Sequence, residues 1–161
     1  KNMGKDDSLV WYARGGKHSN DTPCKGTSLK SGIDVKGFAA WKKEIWHIGG
    51  YTDERGKQKV TSSILGKWIG WKAVIYNINH DRWVKMESYI DDGDNNNWHK
   101  VTELVDKGDW YANSPDNVFN SAKCNKPKNY IINEGGPEVT FRSDNIVWSF
   151  KNLSVREIQP P

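Results

Sequence analysis

The chain has 161 residues, of which 35% are apolar, and its mean hydropathy is -0.83. This length fits one domain over residues 1–161 with a single core and a loose, polar N-terminus at residues 1–7. The net charge of +4 favours acidic partners, but the basic residues form no long run, which excludes a nucleic-acid arm. No apolar run of about 18 residues occurs, so we expect no membrane span.

In chain order, strand-like segments separated by turn residues predict an all-β protein. Before the middle of the chain, strands are predicted at residues 8–14, 33–36, 39–48 and 59–63. A β-meander follows at residues 67–77, 84–90 and 101–105, and closing strands are predicted at residues 130–133, 138–142 and 146–158. About nine strands without a convincing helix indicate an antiparallel β-sandwich of the jelly-roll kind.

The meander has the clearest hydrophobic pattern. In its second strand Val84, Met86, Ser88 and Ile90 share one face, because successive side chains of a strand alternate. This face is predicted to pack inward. The first run, at residues 67–77, is apolar on both faces, which is typical of a central strand.

Two cysteines, Cys24 and Cys124, lie in long loops at residues 17–31 and 106–129. One pair of cysteines in a chain with many Asn, Gly and Trp residues is compatible with a disulfide in an extracellular or cell-surface protein. Two unrelated buried thiols are the alternative. We predict the disulfide, since both loops need an anchor.

The loop after the second meander strand has oxygen-bearing side chains at regular spacing. Asp92, Asp94 and Asn96 occupy positions one, three and five of a twelve-residue frame, and Glu103 occupies position twelve. This is the oxygen spacing of an EF-hand, so we expect Ca²⁺ at this loop. The alternative is a hairpin made of ordinary turn residues, because the flanking segments are strands and Asn97 replaces the turn glycine.

Basic and aromatic residues occur together in two early segments and one late strand. Arg14, Lys17 and His18 surround Gly15 and Gly16, and Lys43, Glu44, His47 and Tyr51 follow. If residues 39–48 form one strand, Lys43 and His47 share a face with Trp41, while Glu44 lies on the other. Glu138, Thr140 and Arg142 share a face of a later strand, where Arg142 can bind a carboxylate.

These residue types predict a surface for an acidic sugar. The expected substrate-binding residues are Arg14, Lys17, His18, Lys43, Glu44, His47, Tyr51 and Arg142. His47, Tyr51 and Arg142 are the candidate catalytic residues, because His or Tyr can remove a proton α to a carboxylate that a cation neutralises. The alternative is an ordinary solvated face with one packed histidine.

Five segments carry a resemblance to a known superfamily: residues 13–19 (ARGGKHS), 43–47 (KEIWH), 66–70 (GKWIG), 135–145 (GGPEVTFRSDN) and 151–158 (KNLSVREI). They resemble secreted or surface domains of the concanavalin A-like lectin/glucanase superfamily, which includes laminin G-like domains and jelly-roll polysaccharide lyases. The resemblance implies the fold and leaves the function open, because alginate-lyase motifs of the Arg-Ser-Glu-Leu-Arg and Gln-Ile-His types are absent. It also implies strands before residue 1. Either a partner strand or a second copy takes their place, or the chain is the ordered part of a longer product.

Three functions are expected from these observations. The first is binding of an acidic polysaccharide or glycan by one sheet face. The second is β-eliminative cleavage of such a polymer on the same face. The third is a structural role in an extracellular assembly. Convergence of His47, Tyr51 and Arg142 in a groove would favour the enzyme, whereas a flat aromatic platform would favour binding alone.

Overall fold

The structure is a computed structural model and describes residues 8–160. Its strands are β1 (Ser8–Gly15), β2 (Ser28–Asp34), β3 (Phe38–Glu44), β4 (Arg55–Lys59), β5 (Gly70–Ile78), β6 (Trp83–Asp91), β7 (His99–Asp106) and β8 (Glu138–Asp144). They form two antiparallel sheets, a five-stranded one in the order β4-β3-β2-β1-β8 and a three-stranded one in the order β5-β6-β7. The predicted antiparallel β-sandwich is therefore confirmed.

The core lies between the two sheets. Leu29 and Trp41 of the five-stranded sheet pack in one cluster with Val84 and Met86 of β6. All four residues of the alternating β6 face are buried, as their spacing predicts. Burying each large apolar side chain contributes roughly 1.5–3 kcal/mol, so this layer holds the sheets face to face.

The turn between β2 and β3 fixes the register of the five-stranded sheet. The Asp34 carboxylate accepts hydrogen bonds from the backbone N–H groups of Lys36 and Phe38, each at 2.9 Å. Gly37 has a φ of +83°, and a Cβ there would lie 2.3 Å from the carbonyl oxygen of Thr61. Only glycine fits this position without displacing the backbone.

The meander is confirmed, but its first strand is not central. β6 lies between β5 and β7, so β5 is an edge strand. Its apolar residues are explained by packing rather than by pairing on both sides. Trp71 contacts Trp11 with ring centroids 5.3 Å apart, and both Trp71 and Trp148 pack against the cluster that contains Ile90.

Several strand boundaries differ from the sequence prediction. β2 begins at Ser28 within the predicted loop, β3 ends at Glu44, and β4 ends at Lys59, where the run predicted at residues 59–63 begins. Residues 130–133 and 146–158 form no strand. The apolar side chains of residues 130–132 pack against the main core from an irregular segment, which explains their strand-like composition.

The connection after β7 contains a short helix that the sequence analysis missed. Helix α1 (Asp116–Ser121) follows Pro115 and buries Phe119 against Trp46, with ring centroids 3.9 Å apart. Proline at a helix start and an acidic first turn are the signals that predict it. None of the helices in residues 8–160 has the length and hydropathy of a membrane-spanning segment.

The predicted disulfide between Cys24 and Cys124 is confirmed, with the two Cα atoms 5.2 Å apart. It connects a 3₁₀ helix (Pro23–Lys25) in the β1–β2 loop to the segment after α1. The loop that precedes β2 is therefore anchored to the long connection after β7.

Candidate functional site

The outer face of the five-stranded sheet, which points away from the three-stranded sheet, forms a groove of about 710 Å³. Val10, Gly32 and Ala40 are neighbours on β1, β2 and β3 and make a row of small side chains across it. Arg142 of β8 lies beside Val10 at the end of this row. The volume is typical of sites for small ligands, and larger polar side chains flank the row.

Glu44, the last residue of β3, is the centre of the polar cluster in this groove. Its side chain is 0% exposed, and its Oε1 atom lies 2.9 Å from His47 Nδ1 and 3.2 Å from His18 Nδ1. The ammonium group of Lys30 pairs with the other carboxylate oxygen, Oε2. A buried carboxylate needs such partners, because removing an unpaired charge from water is costly.

A tight turn after β3 brings His47 to Glu44. The backbone N–H of Ile45 donates to the carbonyl of Gly50 at 2.7 Å, and Tyr51 then pairs with Glu44 across a β-bridge. Ile48 has a φ of 61°, in the left-handed region. His47 therefore lies on the same side as Glu44, whereas a continuous strand would have placed it with Lys43.

The tautomer of His47 is defined if its ring is neutral. A carboxylate only accepts hydrogen bonds, so His47 donates from Nδ1–H to Oε1 of Glu44, whereas His18 Nδ1 lies 3.2 Å from the same oxygen. This arrangement leaves the Nε2 lone pair of His47 available as a base, while Nε2 of His18 is buried and has no hydrogen-bond partner among the described residues.

Tyr51 completes the cluster. Its hydroxyl oxygen lies 3.1 Å from His47 Nδ1 and accepts from the same N–H that Glu44 binds. Burial, together with the negative charge of Glu44, raises the pKa of the Tyr51 phenol. The phenol therefore stays protonated near neutral pH.

Lys30 and Tyr12 support the cluster from β2 and β1. Lys30 Nζ lies 4.6 Å from the centre of the Tyr12 ring and 5.0 Å from that of Tyr51. The pKa of Lys30 is lowered because its burial outweighs the attraction of Glu44. The Tyr12 ring stacks on His18 at a centroid distance of 5.3 Å.

Two predicted site residues supply cations at the edges of the groove. The Arg142 guanidinium lies 5.3 Å from the centre of the Tyr12 ring and donates to Asp144 at 2.7 Å. Lys17 lines the groove beside His18 and is exposed. Glu138 and Thr140 line the groove with Arg142, as their shared face predicts.

Two other predicted site residues lie outside the groove. The Lys43 ammonium is fully buried on the inner face and pairs with Asp106 at 2.6 Å. Lys43 does share a face with Trp41, but that face is the core. Arg14 has a φ of 56° at a bulge in the pairing of β1 with β8, and its guanidinium donates to Asn77 and to the carbonyl of Ile132.

Sequence reasoning missed Tyr12 and Lys30. Tyr12 follows the inward-pointing Trp11 on β1, so the alternation of side chains along a strand predicts that Tyr12 lies on the outer face. Lys30 lies in the loop predicted at residues 17–31, and only the pairing of β2 with β1 places it opposite Tyr12.

The predicted calcium-binding side chains have separate protein partners. Asp92 accepts from Thr61 at 2.9 Å, Asp94 pairs with Lys151 at 2.6 Å, and Asn96 accepts from Trp98 Nε1 at 2.9 Å. Glu103 lies on β7 and pairs with Lys85 and Lys100. The loop has the hairpin geometry of the alternative interpretation, and Ca²⁺ binding stays a prediction.

Comparisons with known proteins give no family for this chain, since no family model, no curated protein and no solved structure matches it significantly. A functional assignment therefore depends on the geometry of the groove.

Proposed function

We propose that the groove binds an acidic polysaccharide and cleaves it by β-elimination at a uronate residue. The observation that carries this proposal is the cluster of His18, His47 and Tyr51 around one buried carboxylate, with Arg142 in the same groove. A flat aromatic platform would serve binding alone. A groove in which a base, an acid and a cation converge supports proton transfer to and from a bound sugar.

The reaction assigns one role to each group. Arg142 pairs with the uronate carboxylate and stabilises the negative charge that develops there. His47 Nε2 removes the proton at C5, the bond from C4 to the glycosidic oxygen breaks, and a C4–C5 double bond forms. Tyr51 donates its proton to the departing oxygen.

The geometry also provides for recovery of the starting state. His47 Nδ1 lies 3.1 Å from the Tyr51 oxygen, so the imidazolium formed in the reaction can return a proton to the phenolate. The ring then carries its proton on Nε2, and exchange of this proton with solvent through the groove restores the Nδ1–H tautomer. Glu44 holds the ring and stabilises its charged form, as a carboxylate does for a catalytic histidine.

Binding without cleavage is the second candidate function. The cations Lys17 and Arg142 at the groove edges and the net charge of +4 favour an acidic glycan whether or not turnover follows. The disulfide favours an extracellular or cell-surface location for either function. The two packed antiparallel sheets support the concanavalin A-like, jelly-roll assignment that the sequence resemblance implies.

The test is an ultraviolet absorbance assay for unsaturated uronate products on polymannuronate, polyguluronate and polyglucuronate. We expect turnover by the native protein and a loss of about 10²–10⁴-fold in His47→Ala and in Tyr51→Phe. Tyr51→Phe keeps the ring and should retain binding within a few-fold, and binding should weaken as salt increases.

The controls are His99→Ala and Tyr111→Phe, which change exposed residues outside the groove. Both should keep native turnover. No product from any polymer, combined with salt-sensitive binding that His47→Ala weakens, would leave binding as the function. Absence of both product and binding would overturn the two candidates together.

A further inference from the structure

We propose that His18, Glu44 and His47 form a binding site for a divalent transition metal of the zinc class. In the described part of the chain, this is the one group of three His, Cys or carboxylate residues whose donor atoms all lie within 4.8 Å of one another. The proposal concerns metal binding by the protein itself and does not rest on the proposed reaction.

The distances between the donor atoms are close to those of a coordination sphere. Zinc binds imidazole nitrogen at about 2.0–2.1 Å and carboxylate oxygen at about 2.0–2.2 Å, usually as a tetrahedron. Tetrahedral ligands at these bond lengths are separated by roughly 3.3–3.5 Å. The Glu44 Oε1 atom lies 2.9 Å from one imidazole Nδ1 and 3.2 Å from the other, and one donor atom from each of the three residues lies within 4.8 Å of the other two.

The donor set fits this class of metal. Two imidazoles and one carboxylate favour zinc and its neighbours over Mg²⁺ or Ca²⁺, which prefer oxygen alone. Glu44 is fully buried, whereas the side chains of His18 and His47 are 24% and 26% exposed to the groove. A metal can therefore enter from the groove and keep an open position for water or a ligand.

Contacts outside the three donors hold them in place. Lys30 occupies Oε2 of Glu44 and leaves Oε1 for the metal. The Tyr12 ring stacks on His18. Such supporting contacts orient metal ligands and typically change metal affinity 10–100-fold when removed.

The loops that carry the two histidines are fastened to each other. The backbone N–H of His47 donates to the carbonyl of Pro23 at 2.9 Å, and the hydroxyl group of Thr27 donates to the carbonyl of Ile45 at 2.9 Å. The disulfide at Cys24 fixes the same loop. The donor atoms are thus preorganised before any ion binds, which lowers the entropic cost of binding.

Metal binding has a consequence for the groove. Each Nδ1 proton must leave for the ion to bind, and a metallated imidazole keeps its proton on Nε2. A metal at this site therefore removes the His47 base, so zinc should inhibit β-elimination reversibly wherever that reaction occurs.

The experiment is isothermal titration calorimetry of the full chain with zinc chloride, together with the visible absorption spectrum of the Co²⁺ complex. We expect one saturable site with a Kd of micromolar or tighter and intense tetrahedral Co²⁺ bands. His18→Ala and His47→Ala should each weaken binding by at least about 100-fold and abolish the bands.

His80→Ala and His99→Ala are the matched controls, because these two exposed histidines lie outside the group. Both variants should bind zinc as the native chain does. The proposal is overturned if the native protein shows no saturable binding up to millimolar zinc, or if binding persists unchanged in His18→Ala and His47→Ala. Polymer cleavage without zinc binding would reject the metal site and keep the proposed function. Zinc binding without polymer cleavage would keep the metal site and reject the proposed cleavage reaction.

Discussion

Tyr12 lies in the wall of the groove with its hydroxyl group buried and, among the described residues, without a hydrogen-bond partner. Burial raises the pKa of this phenol to about 12, with a smaller contribution from the charge of Glu44. In the unfolded chain, tyrosine ionises near pH 10, so above that pH the unfolded state binds fewer protons than the native state. The contribution of Tyr12 to the free energy of unfolding is therefore fully present below about pH 10, and it is lost as the pH rises to about 12.

We expect Tyr12→Phe to make the free energy of unfolding less sensitive to alkali. Two pKa units correspond to about 2–3 kcal/mol, which the native protein should lose between about pH 10 and 12 and the variant should retain. Near pH 7 the variant should be as stable as the native protein or slightly more so, because an unpaired buried hydroxyl is removed. Urea denaturation at a series of pH values measures both effects.

The exposed Tyr111 provides the control for this titration. Tyr111→Phe should leave the alkaline loss of stability unchanged, since this side chain is 58% exposed and packs in no core cluster of the described residues. If Tyr12→Phe loses stability above pH 10 as steeply as the native chain does, the buried phenol of Tyr12 is not responsible.

Single residues also mark the limit of what the sequence predicts about the groove. His18, Glu44, His47, Tyr51 and Arg142 are all identified by residue type and do line it. Their geometry depends on the turn at residues 45–50 and on strand pairing, which residue type alone does not reveal. Lys43 illustrates the difficulty, because nothing in its local sequence indicates that Asp106 lies opposite it in the core.

Among the elements, the β-meander was predicted well for a physical reason. Its strands are consecutive, so short turns fix the pairing, and the alternation in β6 identifies the buried face. The five-stranded sheet pairs β1 with β8 across most of the chain. Such long-range pairing leaves no local signal, so composition alone does not distinguish a paired strand from the irregular segments at residues 130–133 and 146–158.

The disulfide is the element-scale feature with the largest expected effect on stability. It closes a loop with a sequence separation of 100 residues. The chain-entropy model assigns about 4.7 kcal/mol to such a loop, and loss of a native disulfide typically costs about 2–5 kcal/mol. We expect Cys24→Ser, Cys124→Ser and the double variant to lose stability by similar amounts in this range, as measured by urea denaturation.

Loss of the disulfide should also make the β1–β2 loop more mobile. Because the disulfide fixes the loop that carries His18, hydrogen exchange in residues 17–27 should become faster in the double variant than in the oxidised protein. The native chain treated with a reductant is the matched control and should behave as the double variant does. Equal stability of the oxidised and double-variant proteins would contradict the predicted role of the cross-link.

At the scale of the whole molecule, the two edges of the five-stranded sheet differ in character. β4 forms one edge and has the sequence Arg-Gly-Lys-Gln-Lys, whose cations oppose pairing with another strand. β8 forms the other edge, and Val139 and Phe141 on it are exposed. The chain after β8 exposes further apolar side chains, including Val147 at 100%.

This asymmetry predicts self-association through the β8 side. A sheet edge beside exposed apolar residues is a site where a second copy can bind and remove that surface from water. We expect sedimentation velocity to show a concentration-dependent shift from monomer to dimer in the micromolar range. The substitutions Val147→Ser and Phe150→Ser together should raise the dissociation constant by about tenfold or more, since each removes exposed apolar surface and the Phe150 ring lies 6.3 Å from that of Phe141 on β8.

Leu65→Ser provides the control, because Leu65 is about as exposed as Phe150 but lies in the loop before β5. It should leave the association unchanged if the β8 side is the interface. A protein that sediments as a monomer across the whole concentration range would contradict the prediction. If Leu65→Ser weakens the association as strongly as the double variant does, the interface lies elsewhere. The β8 edge would then give no support to a structural role in an extracellular assembly.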